Sequence, residues 1–224
     1  MFVKIYFADV SCLEDGSLFE KYLSQASVER RERIFRLRFG RDRRLSLGAA
    51  SLLSRVLAEA GIEEGAAIAY GEHRKPYLKD HPEVRFNLSH SGTLVMCAVS
   101  DSDVGCDVQT VGEAPLRIAK RFFSEEERER LFGVPETERD GEFCRIWTLK
   151  ESYLKATGRG FTSPAGEFSV VDRKGRTALR QSADTFRYTL REVFAADGYR
   201  AAYCVRGTYR GRAKIVRADF ENDA

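Results

Sequence analysis

Trp147-Thr148-Leu149-Lys150-Glu151-Ser152-Tyr153-Leu154-Lys155-Ala156-Thr157-Gly158-Arg159-Gly160 is the stretch around which the rest of the chain is organised. Leu, Lys, Glu and Ala favour a helix, no proline interrupts the run, and Gly158 supplies a stop. Ile146, Leu149 and Tyr153 recur at helical spacing and predict one buried stripe. Glu151 and Lys155 lie four residues apart on another face, with Trp147 one turn before them. Taken alone, that pair reads as an exposed salt bridge worth about 0.3 kcal/mol.

Working outward, Val134 to Glu142 reads as a polar loop and Pro115 to Phe123 as a helix. Ser124 and Glu127 have the spacing of a capping box at the start of a further helix. Before these comes an informative block. Lys75-Pro76-Tyr77 precedes the turn-rich Asp80-His81-Pro82, then Phe86-Asn87-Leu88-Ser89-His90-Ser91-Gly92 and a β-like run from Thr93 to Val99. After a turn at Asp101-Ser102-Asp103, Val104 to Gln109 is the returning strand. Alternation places Val104, Cys106 and Val108 on one face and Asp107 with Gln109 on the other. Aspartate is disfavoured inside strands, so Asp107 is either a metal ligand or a solvent-facing residue of an edge strand. Downstream of Gly160, strands are expected at Glu167 to Val171, Phe186 to Val193 and Gly198 to Val205.

At the other end, Phe2 to Phe7 is a strand, Ser27 to Phe39 an arginine-rich helix, and Leu45 to Glu59 a helix closed by Ala60-Gly61. Eight arginines lie between Arg30 and Arg44; they read either as a solvated helix face or as an anion site. Ser27 to Phe35 aligns without gaps on Ser124 to Phe132. At a similar offset, the helix from Leu45 falls on Ile146 to Lys155, and Gly92 with its strand resembles Gly198 to Val205. Three echoes in one order predict an α+β fold of two similar α/β halves about a pseudo-twofold, residues 1–102 and 103–224, with a cleft between them.

The 224 residues allow one large domain or two small ones. No apolar run has membrane-spanning length and Met1 to Val10 lacks a signal-peptide pattern, so no membrane partner and a cytoplasmic location are expected. Five scattered cysteines form no C-x-x-C pair, and His73, His81 and His90 lack zinc-ligand spacing. A net charge of +3 names no partner.

Lys75-Pro76, Phe86-Asn87-Leu88-Ser89-His90-Ser91-Gly92, Val104-Gly105-Cys106-Asp107-Val108, Phe122-Phe123-Ser124 with Glu127, and Trp147-x-x-Lys150-Glu151-x-x-x-Lys155-x-x-Gly158-x-Gly160 occur in that order. Together they resemble the 4′-phosphopantetheinyl transferases of the surfactin-synthetase-activating type. The resemblance implies Mg²⁺-dependent transfer of the phosphopantetheine arm from coenzyme A to a serine of an apo acyl or peptidyl carrier protein, releasing adenosine 3′,5′-bisphosphate, by a monomer. It makes Asp107, Gln109 and Glu151 the metal residues, and Asp107, Glu151 and Lys155 the catalytic ones, with Glu151 the candidate base. Lys150, Lys155 and His90 are expected on the pyrophosphate, Lys75, Pro76 and Ser89 on the nucleotide side, and Arg30, Arg33 and Arg44 near the 3′-phosphate. Glu127 matches a family site position, though its capping role alone accounts for it.

One departure is visible: many relatives have D-x-E where this chain has Asp107-Val108-Gln109. A carboxamide brings no charge, so Gln109 is expected to bind weakly or through water and to lower Mg²⁺ affinity. The competing reading, a basic nucleotide- or nucleic-acid-binding module, leaves Asp107, Glu151 and Ser89-His90 unused, and few aromatics interleave with its arginines. No nucleic-acid partner is therefore expected.

Overall fold

The computed structural model describes residues 1–63, 65–160, 168–181 and 185–222. The first part runs β1 (Val3–Asp9), α1 (Gly16–Gln25), α2 (Val28–Phe35), α3 (Gly40–Glu59), β2 (Ile68–Tyr70), β3 (Pro76–Leu78), β4 (Arg85–Ser91) and β5 (Leu94–Ser100). It continues as β6 (Val104–Thr110), α4 (Leu116–Phe122), α5 (Glu125–Gly133), α6 (Arg139–Thr157), β7 (Phe168–Val171), β8 (Thr177–Gln181), β9 (Tyr188–Val193), β10 (Tyr199–Arg206) and β11 (Lys214–Ala218). This is an α+β fold. One sheet has the order β11-β1-β5-β4 and the other β6-β10-β9; β2-β3 and β7-β8 are small ribbons.

Strand alternation builds the layers. Val3, Ile5 and Phe7 of β1 and Leu94, Met96 and Ala98 of β5 meet Val104, Cys106 and Val108 of β6 and Ala201, Tyr203 and Val205 of β10 in one buried cluster between the sheets. The opposite faces of β1 and β5, including Tyr6, Val95 and Cys97, pack with α3 residues such as Leu52 and Val56. On the far side, Ala202 and Cys204 of β10 pack with Ile146, Leu149 and Tyr153 of α6. The expected stripe of the helix is thus its buried stripe, with each large side chain contributing about 1.5–3 kcal/mol.

Several boundaries differ from expectation, each for a local reason. The helix expected at Ser27 to Phe39 ends at Phe35, because Arg43 Nε and Nη2 donate to the carbonyls of Leu37 (2.9 Å) and Phe35 (3.4 Å). The next helix then starts at Gly40, before Leu45, with Phe39 extended as its N-cap. The stretch expected as a loop to Glu142 already carries the first turn of α6 from Arg139, and Phe143 stacks on Trp147 one turn later at 6.1 Å. Gly158 ends α6 in the left-handed region at φ 71°. Of the strand expected at Glu167 to Val171, Glu167 lies outside the described residues. β11, from the last part of the chain, pairs in parallel with β1, so the first sheet draws a strand from beyond residue 102.

Gly105 fixes the distance between the second sheet and α6. A Cβ there would collide with the Ser152 carbonyl oxygen and the Ala156 nitrogen, so helix backbone rests directly on strand backbone. Backbone cannot step aside as a side chain can. Gly105→Ala is expected to cost about 3 kcal/mol in urea unfolding; a cost below about 1 kcal/mol would contradict this packing.

Candidate active site

Two sheet edges meet where β4 faces β6. The outward N–H groups of β6 have no strand partner on that side, and side chains of β4 satisfy them. Cys106 N donates to Asn87 Oδ1 (2.9 Å), Val108 N to Ser89 Oγ (3.3 Å) and Thr110 N to Ser91 Oγ (3.0 Å). Alternation explains the pattern: Phe86 and Leu88 belong to the first core, which turns Asn87, Ser89 and Ser91 toward the other sheet. Asn87 and Ser89 are 6% and 7% exposed, so this polar row is buried rather than solvated.

Asp107 sits at the middle of this seam and is 2% exposed. Its Oδ1 accepts from Lys155 Nζ (2.6 Å) and Ser89 Oγ (2.7 Å), and its Oδ2 from Gln109 Nε2 (3.2 Å). Lys155 also donates to the Cys106 carbonyl (3.1 Å) and to Ser89 Oγ (3.2 Å). Ser89 thus uses its one proton and both lone pairs. Burial alone would lower the Lys155 ammonium; the Asp107 carboxylate outweighs it and holds the pKa above the ordinary lysine value.

Glu151, one turn earlier on α6, is the complement. The expected i,i+4 bridge to Lys155 gives way to the Lys155–Asp107 ion pair. Among the described residues the Glu151 carboxylate accepts no hydrogen bond, and burial pushes its pKa up to about 7, opposed by Lys155 and reinforced by the Asp107 charge. Gln109 turns its carboxamide oxygen to Ser91 Oγ (3.4 Å) and its nitrogen to Asp107. Among the described residues no three His, Cys, Asp or Glu side chains converge as a metal site.

Lys150, expected on the pyrophosphate, points elsewhere. It is 2% exposed, and its ammonium donates to Glu127 Oε2 (2.9 Å) and the Phe168 carbonyl (3.1 Å). Burial lowers its pKa, with Glu127 opposing. Glu127 also closes the Ser124 capping box and accepts from Val170 N (2.7 Å), so it ties α5, α6 and β7 together. A helix side chain directed into the second core cannot also face the cleft, and removing either partner would strand a buried charge at about 3–5 kcal/mol.

Lys75 and Pro76 line a pocket of about 510 Å³ with Gly71, Tyr77, Arg85 and Gly158. Lys75 is also an anchor: its Nζ donates to the Ala156 carbonyl at 2.6 Å, at the negative end of α6. Arg85, which has no sequence signal of its own, is brought to this pocket as the first residue of β4. His90 lies on an exposed part of β4, where partial desolvation and then the Lys155 ammonium lower its pKa. Arg30 and Arg33 lie together on α2, where burial and then the Arg33 charge lower the Arg30 pKa. Neither guanidinium has an anionic partner among the described residues, whereas Arg44 pairs with Glu14 at 2.9 Å.

The raised Glu151 pKa ties stability to pH. Because the folded carboxyl holds its proton up to about 7, the folded state binds more protons than the unfolded chain above the ordinary value of 4.5. Stability is then lost as pH rises through about 7. Discounted for partial exposure to roughly 1 kcal/mol, Glu151→Gln should raise Tm at pH 8 by about 2–4 °C, with no gain at pH 4. An equal or lower Tm for the variant at pH 8 would contradict the uncompensated charge.

Comparison with known proteins covers both parts of the chain. The signature of the 4′-phosphopantetheinyl transferase superfamily matches residues 103–204, and that of the 4′-phosphopantetheinyl transferase N-terminal region matches residues 16–102. The "4′-phosphopantetheinyl transferase Sfp" of Bacillus subtilis (strain 168) is 31% identical over 189 residues, covering 83% of this chain and 84% of that protein. The "4′-phosphopantetheinyl transferase HetI" of Nostoc sp. is 34% identical over 172 residues, covering 74% and 71%. With both parts of the chain matched and relatives matching over most of its length, the chain belongs to the 4′-phosphopantetheinyl transferase family.

Proposed function

We propose that the cleft beside β4, β6 and α6 transfers 4′-phosphopantetheine from coenzyme A to a serine of an apo acyl or peptidyl carrier protein. The observation that carries this is the charge arrangement on α6. Lys155 is a fixed cation beside buried Asp107, and Glu151 is a half-buried carboxylate whose pKa of about 7 suits a general base near neutral pH.

In the transfer, the carrier serine oxygen bonds to the pantetheine-side phosphorus while the bridging oxygen leaves on adenosine 3′,5′-bisphosphate. Glu151 accepts the serine proton, and the Lys155 ammonium offsets charge growing on the leaving phosphate. His90, exposed on β4, would meet the same phosphates. Arg30 and Arg33 offer the unpaired cations for the 3′-phosphate, and the pocket at Lys75-Pro76 takes the nucleoside.

The donor set fits Mg²⁺, because Asp107 already holds a stand-in cation, the Lys155 ammonium, and Glu151 has no donor to neutralise it. Asp107 and Glu151 would hold the ion, with Gln109 contributing its oxygen only after its carboxamide turns from Ser91. Bound there, Mg²⁺ would polarise the pyrophosphate oxygens.

Residues 1–102 and 103–224 read as two related halves acting as a monomer. Supporting this, Ser27 and Ser124 cap corresponding helices, and α3 and α6 each cover the outer face of a sheet. Five free cysteines suit a reducing cytoplasm.

The protein, coenzyme A, Mg²⁺ and a panel of apo carrier proteins should give a carrier heavier by one phosphopantetheine in intact-mass measurement. Glu151→Gln and Lys155→Ala should each lower the rate about 10²-fold or more. Gln109→Glu should lower the Mg²⁺ concentration for half-maximal rate. No adduct on any carrier would overturn the proposed function, and an unchanged or higher Mg²⁺ requirement would overturn the weak-ligand role of Gln109.

A further inference from the structure

Ser91 closes the open end of the seam, beyond Asp107 and outside the group of charged residues. Its Oγ accepts the Thr110 N–H (3.0 Å) and lies 3.4 Å from Gln109 Oε1 and 3.2 Å from Thr110 Oγ1. The turn that follows is pinned from the second sheet: Thr93 N donates to Tyr199 Oη at 3.0 Å. Gly92 is required there twice over, by its φ of 60° and because a Cβ would collide with the Tyr199 hydroxyl. β6 itself is held along its inner edge by pairing with β10, from Tyr199 opposite Thr110 to Val205 opposite Val104, and on its outer edge by the three side-chain acceptors of β4 and by Lys155 Nζ, which donates to the Cys106 carbonyl.

We infer that Ser91 is a positioning residue for the transfer. It holds the Gln109 carboxamide, whose nitrogen in turn donates to Asp107 Oδ2, and so helps to set the Asp107 carboxylate against Lys155 and Ser89. The physical reason is a short relay of hydrogen bonds across the seam. Asn87 holds Cys106 on one side of Asp107, Ser89 holds Val108 on the other, and Ser89 is itself shared with Asp107 and Lys155. Losing the Ser91 acceptor leaves the Thr110 N–H without its partner and frees the Gln109 carboxamide that donates to Asp107. The Asp107 carboxylate then loses the restraint on its Oδ2, while the pocket at Lys75-Pro76 and the arginines of α2 are untouched. Reaction geometry is affected before substrate binding is, since misplacement by a fraction of an ångström is felt in the chemical step.

This inference rests on the transferase reading, and steady-state kinetics of Ser91→Ala, Ser91→Thr and Ser91→Cys tests it. Ser91→Ala should lower kcat about 10-fold with KM for coenzyme A and for the carrier within about 2-fold. Ser91→Thr keeps the hydroxyl and should restore kcat to within about 3-fold of the unchanged protein. If Ser91→Ala does not fold, Ser91→Cys, a weak acceptor of similar size, is read by the same criteria. An unchanged kcat, a rise in either KM with kcat intact, or a Ser91→Thr as slow as Ser91→Ala would each overturn the positioning role. No transfer by the unchanged protein would overturn the proposed function and this inference with it, whereas wild-type transfer with an unaffected Ser91→Ala overturns the inference alone.

Discussion

The structure depends on how one exposed strand edge is covered. β6 leaves the first sheet, joins the second, and presents outward N–H groups at Cys106, Val108 and Thr110. An uncovered buried N–H costs about 1–3 kcal/mol, so those of Cys106 and Val108 would be a serious defect, while Thr110 is exposed at the strand end. Asn87, Ser89 and Ser91 remove it with side chains rather than backbone. This joins the edges of two sheets without backbone pairing between β4 and β6, and Asp107 with Lys155 lies at the junction. The same short motif therefore serves architecture and chemistry: Ser89 closes a backbone hydrogen bond and touches both charged groups.

Charge is distributed on α6 with a clear division of labour. Lys150 and Glu127 neutralise each other in the second core and fasten three elements. Lys155 neutralises Asp107 at the seam. Glu151, between them in sequence, is left unpaired at a cost in stability, as expected of a group kept ready to take a proton or a cation. Gly105 sets the helix close enough to β6 for this to work, and Lys75 holds the end of α6 through the Ala156 carbonyl.

Much of this was legible in the sequence because it follows from periodicity. The stripe of Ile146, Leu149 and Tyr153, the inward set Val104, Cys106 and Val108, the Ser124 capping box and the Gly158 stop are all local patterns. Asp107 stood out as an acid inside a strand, and its partners supply the reason. What could not be read depends on three-dimensional direction. Lys150 and Lys155 are equally charged, and only the helix rotation sends one into the core and the other to the cleft. Arg44 pairs with Glu14, thirty residues earlier in sequence. β11 pairs with β1 across nearly the whole chain, and α6 begins at Arg139 because Phe143 and Trp147 stack, neither of which has a strong short-range signal. The alternation of Asn87, Ser89 and Ser91 is the instructive case. Polar residues at every second position ordinarily mark a solvated face, yet here they mark a buried row facing another strand's edge.

Amide hydrogen exchange, resolved by residue, tests that row most directly. The N–H groups of Cys106, Val108 and Thr110 point away from the sheet that β6 belongs to, so an unpaired edge would exchange them rapidly. The account predicts that Cys106 and Val108 exchange as slowly as amides in the middle of β5, and that Thr110, at the strand end, exchanges faster only when Ser91 is replaced by alanine. Fast exchange at Cys106 and Val108 in the unchanged protein would contradict a seam built from the side chains of β4.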